Sequence, residues 1–402
     1  MGLADRLKAI EAQTPVSSNG VVQPSAPPMQ QTPMQQTPIQ YDTQQPTAPF
    51  MPQPTPIPSY NQQPSAPPMP VSQPIMPQYQ QSMPVQQAPQ KQGIMSSISN
   101  MFSNTPSQKQ PQVYTQAGPY YQPVKLRVDA VILDKGLQHF YPVNSQQYNN
   151  LLMRLSNIDF PSIASKRRIP LELAFDFVAM GLYDIVIFAD DSGSMNFDEH
   201  WGPSTEKIDD LKLIFSRIVE LATLFDDDGI SIRYFNNDKV FDNIKSEQEA
   251  EKTLTKVSFN GGTPVGKNIV TKVFEPYVYT KTQSNQFTKP VLVYVITDGE
   301  PDNKPELKQN ILQCKNWLQQ TPFGKSSVSI MFAQVGKDAK AAHYLKVELD
   351  NDPDIGNDVD ATGNFEMEYV KYAAKGVQFS PEHWLLQMML GAIDTNYDSG
   401  ND

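Results

Sequence analysis

The chain has 402 residues, a formal net charge of −11 and a single cysteine, Cys314. That length accommodates two or three domains, yet the acidic balance argues against a nucleic-acid or anionic-membrane surface. One cysteine excludes an internal disulfide framework and fits a reducing compartment.

Residues 1–124 hold 24 of the 36 prolines, mixed with Gln, Ser, Thr and Met, and carry a net charge of +1; the remainder carries −12. So little apolar clustering cannot offset the entropy of ordering the chain, so this stretch reads as a disordered Pro/Gln-rich tail. Within it, residues 2–12 place Leu3, Leu7 and Ile10 on one face of a short amphipathic helix, fit for docking on the folded part or on a partner, or else a frayed end. Met1-Gly2 opens like a myristoylation signal, but Arg6 stands where Ser or Thr belongs. Farther on, Ile94, Ile98, Met101 and Phe102 share a second short helical face. No signal-peptide core or bilayer-length apolar run is present, so no stable membrane insertion is expected and a cytoplasmic protein is read.

The globular part begins near Lys125. A strand is predicted around Leu126–Leu133, then helices at Ser145–Leu155 and Leu171–Leu182, and residues 125–182 read as a helical extension packed on the domain that follows. From Tyr183 the pattern alternates. Strands are predicted at Asp184–Ala189 (DIVIFA), Ile230–Phe235, Val240–Ile244, Val291–Thr297 (VLVYVIT) and Ser327–Val335. Helices are predicted at Lys207–Phe225, Pro264–Phe274, Pro305–Gln319, Ala339–Val347 and His383–Ile393. Apolar strands separated by helices predict an α/β fold, a doubly wound and mostly parallel sheet covered on both faces over residues 183–402. Such folds carry their sites at the carboxyl ends of the strands.

Those ends are where the chemistry lies. Asp190-Asp191-Ser192-Gly193-Ser194 follows DIVIFA, Asp298 follows VLVYVIT within Thr297-Asp298-Gly299, and between them stands Gly261-Gly262-Thr263-Pro264. Two carboxylates, Asp190 and Asp298, with the hydroxyls of Ser192, Ser194 and Thr263, offer oxygen ligands only. That set suits a hard cation such as Mg²⁺ or Mn²⁺ and leaves a coordination position for a partner's carboxylate. A lone DSGS is commonly only a loop or a helix cap; three elements in this order point to a metal.

The same residues resemble the von Willebrand A (vWA, integrin I-like) family, whose metal-ion-dependent adhesion site reads D-x-S-x-S, then a Thr, then the Asp of T-D-G. The likeness spans Tyr183 to Asp394, and IVIFADDSGSM, LATLFDDDGISIRYFN and VYVITDGEPDN are similar to intracellular members. It implies a Rossmann-like fold, an intact adhesion site at Asp190, Ser192, Ser194, Thr263 and Asp298, with Asp298 acting through water, and a protein ligand bearing an acidic residue. Asp191 stands where many relatives have a small or apolar residue; it either weakens acidic-ligand binding or points at solvent.

Alternatives from other classes are a P-loop-like nucleotide hydrolase and a structural vWA scaffold with a vestigial metal site. Gly261 to Asn268 reads G-x-x-x-x-G-K-N, but Asn268 cannot supply the Mg²⁺-binding hydroxyl of a Walker loop, and Lys267 reads as a solvated helix residue. Asp350 to Gly356 imitates an EF-hand loop, with Pro353 interrupting it and no closing Glu, so it reads as a solvated acidic loop. Asp226 to Gly229 reads as a helix-ending turn and Tyr294 as core. His139, His200, His343 and His383 lack the spacing of zinc ligands, and no catalytic arrangement of nucleophile and base is found. The expectation is therefore not an enzyme.

The tail carries Pro24-Ser25-Ala26-Pro27, Pro46-Thr47-Ala48-Pro49 and Pro64-Ser65-Ala66-Pro67. P-[ST]-A-P resembles the late-domain motif that binds the UEV domain of ESCRT-I. Proline pre-sets an extended path that lowers the entropy lost on docking, and repeated copies raise avidity. The expectation is a cytosolic, endosome-associated adaptor that binds a protein partner through a metal.

Overall fold

The computed structural model describes Leu7 and residues 116–198, 202–356 and 359–398. These all belong to one compact unit; a second, Ser18–Ser107, lies outside the described residues. Outside them too fall the P-[ST]-A-P motifs, the face at 94–102, His200 and all of the N-terminal helix except Leu7. Leu7 is helical and joins the buried apolar core.

Four short helices come first: α1 (Tyr121–Asp134), α2 (Gln146–Leu155), α3 (Phe160–Arg167) and α4 (Leu171–Asp176), the last running into a 3₁₀ turn at Phe177–Leu182. The strand predicted around Leu126–Leu133 is thus a helix. Val124, Val128, Val131 and Ile132 are buried, the i, i+4, i+7, i+8 spacing of one helical face, while Leu126 and Leu133 stand exposed on another. Apolar density had masked the period. Ser145 caps α2 by accepting from Tyr148 N. Gln147 reaches Thr288 O at 2.9 Å, Arg127 pairs with Asp176 and Asp394, and Arg154 donates to Phe225 O.

The main sheet holds β1 (Asp184–Ala189), β4 (Ile230–Tyr234), β5 (Phe241–Ile244), β6 (Val291–Thr297), β7 (Val328–Gln334) and β8 (Val359–Thr362). A separate two-residue ribbon pairs β2 (Phe197–Asp198) with β3 (Gly202–Pro203). The main sheet runs β5-β4-β1-β6-β7-β8, parallel except that β5 runs antiparallel to β4. Every residue of β6, β7 and β8 is buried, on both faces of the pleat, so helices cover the sheet on both sides. The chain winds from β1 outward to β5, then returns past β1 to β6. This is the doubly wound Rossmann-like order, and its switch point lies between β1 and β6.

The helices of the crossovers include α5 (Glu206–Phe225), α6 (Glu247–Leu254), α7 (Val265–Ile269), α8 (Lys304–Gln319) and α9 (Ala339–His343), and α10 (Phe365–Ala374) and α11 (Pro381–Leu390) follow β8. Helix α7 does not stop near Phe274 as predicted but widens into a π-helical stretch, Val270–Tyr279, containing Pro276. Proline has no N–H to give the regular ladder, and a wider turn accommodates the gap. The sequence reading missed α3, α6, β8 and α10. β8 is only VDAT, too short and polar to announce itself. The Asp350 loop is not simply solvated: Asp350 is buried, and Asp352 and Asp354 pair with Lys308 at 2.7 and 2.8 Å. Among the described residues, no helix is long and apolar enough to cross a membrane.

Candidate metal centre

β1 and β6 are neighbours in register, and each delivers an aspartate immediately past its carboxyl end, Asp190 and Asp298. Both are buried, at 0% and 2% exposure, at a place where a lone ionised carboxylate is costly. Asp190 N donates to Ile296 O at 2.9 Å, which ties the start of its loop to β6.

From there the side chains converge. Ser192 N donates to Asp190 Oδ1 at 2.8 Å, and Thr297 Oγ1 donates to Asp190 Oδ2 at 2.7 Å. The hydroxyls of Ser192 and Ser194 lie 2.9 Å apart, and Ser194 Oγ donates to Asp298 Oδ1 at 2.9 Å. So Asp190, Ser192, Ser194 and Asp298 form one continuous hydrogen-bonded chain across the switch point, through the Ser192 N–H and then the two serine hydroxyls. The loop carrying Thr263 comes alongside through the backbone of Asn260 and Gly261: Gly193 N donates to Gly261 O at 3.1 Å, and Asn260 N to Asp191 O at 2.8 Å. Among the described residues, no hydrogen bond joins the Thr263 hydroxyl to the other four predicted ligands.

The Thr263 loop has a local cause. Gly261 has φ +92°, a left-handed value that side chains resist, and an added Cβ would meet Asn236 Oδ1 at 2.8 Å. Asp302 Oδ1 accepts from Thr263 N at 2.9 Å, while Asp302 N donates back to Thr263 O at 3.0 Å. Sequence reasoning missed Asp302, which sits in the GEPDN phrase just past the T-D-G.

Asp191 does not point at solvent. It is fully buried, and its carboxylate accepts from Asn236 N at 2.6 Å, Asn236 Nδ2 at 3.1 Å and Asn237 N at 2.9 Å. It clamps the loop after β4 against the D-x-S-x-S loop. Burial pushes its carboxyl up, against the pull of those donors.

A second residue missed by sequence is Lys207, on the first turn of α5. Its Nζ lies 2.7 Å from Asp298 Oδ2 and 3.2 Å from Ser194 O. Asp298 therefore has a cationic partner. Asp190 has none among the described residues; burial first, and then the Asp298 charge, push its carboxyl up to about 7. A hard divalent cation fits this set on both counts. The donors are all oxygens, and the group the arrangement lacks is a positive charge beside Asp190.

Two clusters of three carboxylates occur elsewhere among the described residues: Asp184, Asp226 and Asp228, and Asp350, Asp360 and Asp398. Neither contains a predicted ligand. The first surrounds Lys289 Nζ, at 3.6, 2.8 and 3.3 Å respectively, and so already holds its cation.

No family profile and no curated protein matches the chain in sequence. Among solved structures the chain is similar to manganese-loaded Plasmodium vivax TRAP protein, at 14% identity and a TM-score of 0.31, over 48% of this chain and 72% of that one. The fold assignment rests on the strand order, not on that likeness.

Proposed function

We propose that this protein is a non-enzymatic adaptor whose folded domain captures a protein partner through Mg²⁺ or Mn²⁺. Asp190, Ser192, Ser194, Thr263 and Asp298 would hold the ion, with an acidic residue of the partner completing its coordination. The observation that carries this reading is the hydrogen-bonded chain Asp190–Ser192–Ser194–Asp298 at the β1/β6 switch point, with a buried carboxylate that lacks a basic partner among the described residues. A bound cation would supply electrostatic attraction for a carboxylate. The residues themselves orient the oxygens: Asp191 ties the serine-bearing loop to the loop after β4, and Asp302 ties the threonine-bearing loop to the segment after β6.

The absence of nucleotide hydrolysis is part of the proposal. A Walker loop follows a strand directly, whereas Gly261–Asn268 follows α6 and a coil. The Asn268 amide is engaged in donating to Phe235 O at 2.7 Å, and Lys267 is exposed. The cytosolic, endosome-associated role rests on the tail: Ala26, Ala48 and Ala66, each within a P-[ST]-A-P copy, would recruit an ESCRT-I UEV domain.

Affinity capture with the full chain tests the reading. Partner recovery should require Mg²⁺, disappear in EDTA and disappear in Asp190→Ala and Thr263→Ala. Equal recovery with and without chelator would defeat the metal mechanism. The tail is tested separately, by metal-independent UEV binding that is lost when all three alanines become Arg.

A further inference from the structure

The proposed site contains one group that no metal-binding role explains. Lys207 enters it from α5, and its aliphatic stem is laid across Gly336, at the turn after β7. A Cβ added there would meet Lys207 Cε, Cγ and Cδ at 3.1, 3.3 and 3.5 Å. That absence of a side chain leaves a channel for the lysine. Asn364 braces the same turn, donating to Gly336 O at 2.7 Å. At the far end of the channel, Nζ bridges Asp298 Oδ2 and Ser194 O. Only 17% of the lysine side chain and 1% of the Asp298 side chain are exposed, so solvent screens their attraction poorly.

We propose that Lys207 is the resident counter-cation of the site, setting its divalent affinity low and its attraction for anionic partners high. The inference rests on the metal reading above. The two ligand carboxylates, Asp190 and Asp298, bring two negative charges and Lys207 one positive charge, so together with a bound divalent ion these groups sum to +1. Without the lysine, the same sum would be zero. The excess charge lies where a partner's carboxylate completes the coordination, so the acidic ligand and the ion are held jointly. In the metal-free protein the lysine keeps Asp298 satisfied, with Oδ1 turned to Ser194 and available to an incoming ion.

Mn²⁺ titration followed by electron paramagnetic resonance, with thermal unfolding in parallel, tests this on the full chain. Lys207→Met removes the charge while keeping most of the stem's bulk; Lys207→Arg retains the charge. The Met variant should bind Mn²⁺ roughly tenfold or more tightly, as expected for removing a poorly screened positive charge beside the ion. The Arg variant should stay near wild type. The Met variant should also melt lower than wild type without Mn²⁺, and the gap should close at saturating Mn²⁺, because the ion replaces the missing charge. A lysine that only packs would lower both melting points equally. Wild type that binds Mn²⁺ while Lys207→Met binds no tighter overturns the role of Lys207 alone. Failure of both proteins to bind overturns the metal reading with it. Binding by Lys207→Met only supports the counter-cation role in its strongest form.

Discussion

Strand β1 begins at Asp184 and is followed by Asp190, and the two ends treat their carboxylates in opposite ways. At the amino end, Asp184, Asp226 and Asp228 share Lys289, and Asp184 takes Lys281 as well, at 2.8 Å, so every carboxylate touches an ammonium. At the carboxyl end, serine hydroxyls replace the third carboxylate, Lys207 serves Asp298 only, and Asp190 is left with an N–H and a threonine hydroxyl. An acidic cluster closed by its own lysine is a brace. An oxygen cluster with an uncompensated buried carboxylate is a place for an ion. Counting acidic residues alone would select the amino end, where Lys289 already stands among the carboxylates.

The sharpest way to break that comparison is to remove the brace. Lys289→Met should leave Asp226 buried beside other carboxylates, at a cost of about 3 kcal/mol in urea unfolding, and Mg²⁺ should not recover it. Recovery by Mg²⁺ would make the amino end a second cation site. At the carboxyl end the sign reverses. Asp190→Asn relieves an uncompensated buried charge, so the metal-free protein should melt no lower than wild type, while the upward shift on adding Mg²⁺ should vanish. A metal-free variant that melts well below wild type would mean that Asp190 serves the fold.

The pH dependence follows from the same residue. Burial first, and then the Asp298 charge, hold the Asp190 carboxyl up at about 7 in the folded protein, above the 3.8 of an ordinary aspartate, so folding favours the protonated form. That stability is fully present below the lower value and is lost as pH rises through the upper one. The Mg²⁺-induced rise in melting temperature should therefore grow between about pH 5 and pH 8, as the ion no longer has to displace a proton. A shift that is constant with pH would remove Asp190 from the ligand set. The smallest effect is expected at Lys267, exposed on α7: Lys267→Ala should change stability by less than about 0.5 kcal/mol and leave Mn²⁺ affinity unaltered. Nucleotide turnover that this substitution abolishes would instead favour the hydrolase alternative.

The strands and the site were legible for one reason. DIVIFA, VLVYVIT and Ser327–Val335 are buried on both faces, so they read as mostly apolar runs, and motif residues stand just past the ends of the first two. The α1 helix was misread because exposed Leu126 and Leu133 filled the gaps in its helical period. β8 was invisible because its pairing with β7, not its composition, makes it a strand. Within the site, D-x-S-x-S and T-D-G name ligand types, but local sequence cannot show that Lys207 comes from 91 residues before Asp298 to meet it, or that Asp191 turns inward to Asn236.

The most direct test of the account is the uptake of Mn²⁺ by the full chain, followed by the loss of the free-ion resonance signal, with Mg²⁺ as competitor. Wild type and Lys289→Met should each take up a single ion that Mg²⁺ displaces, and Asp190→Asn and Asp298→Asn should take up none. No uptake by wild type, or uptake by Asp190→Asn equal to wild type, would contradict the assignment of the β1/β6 switch point as a metal centre.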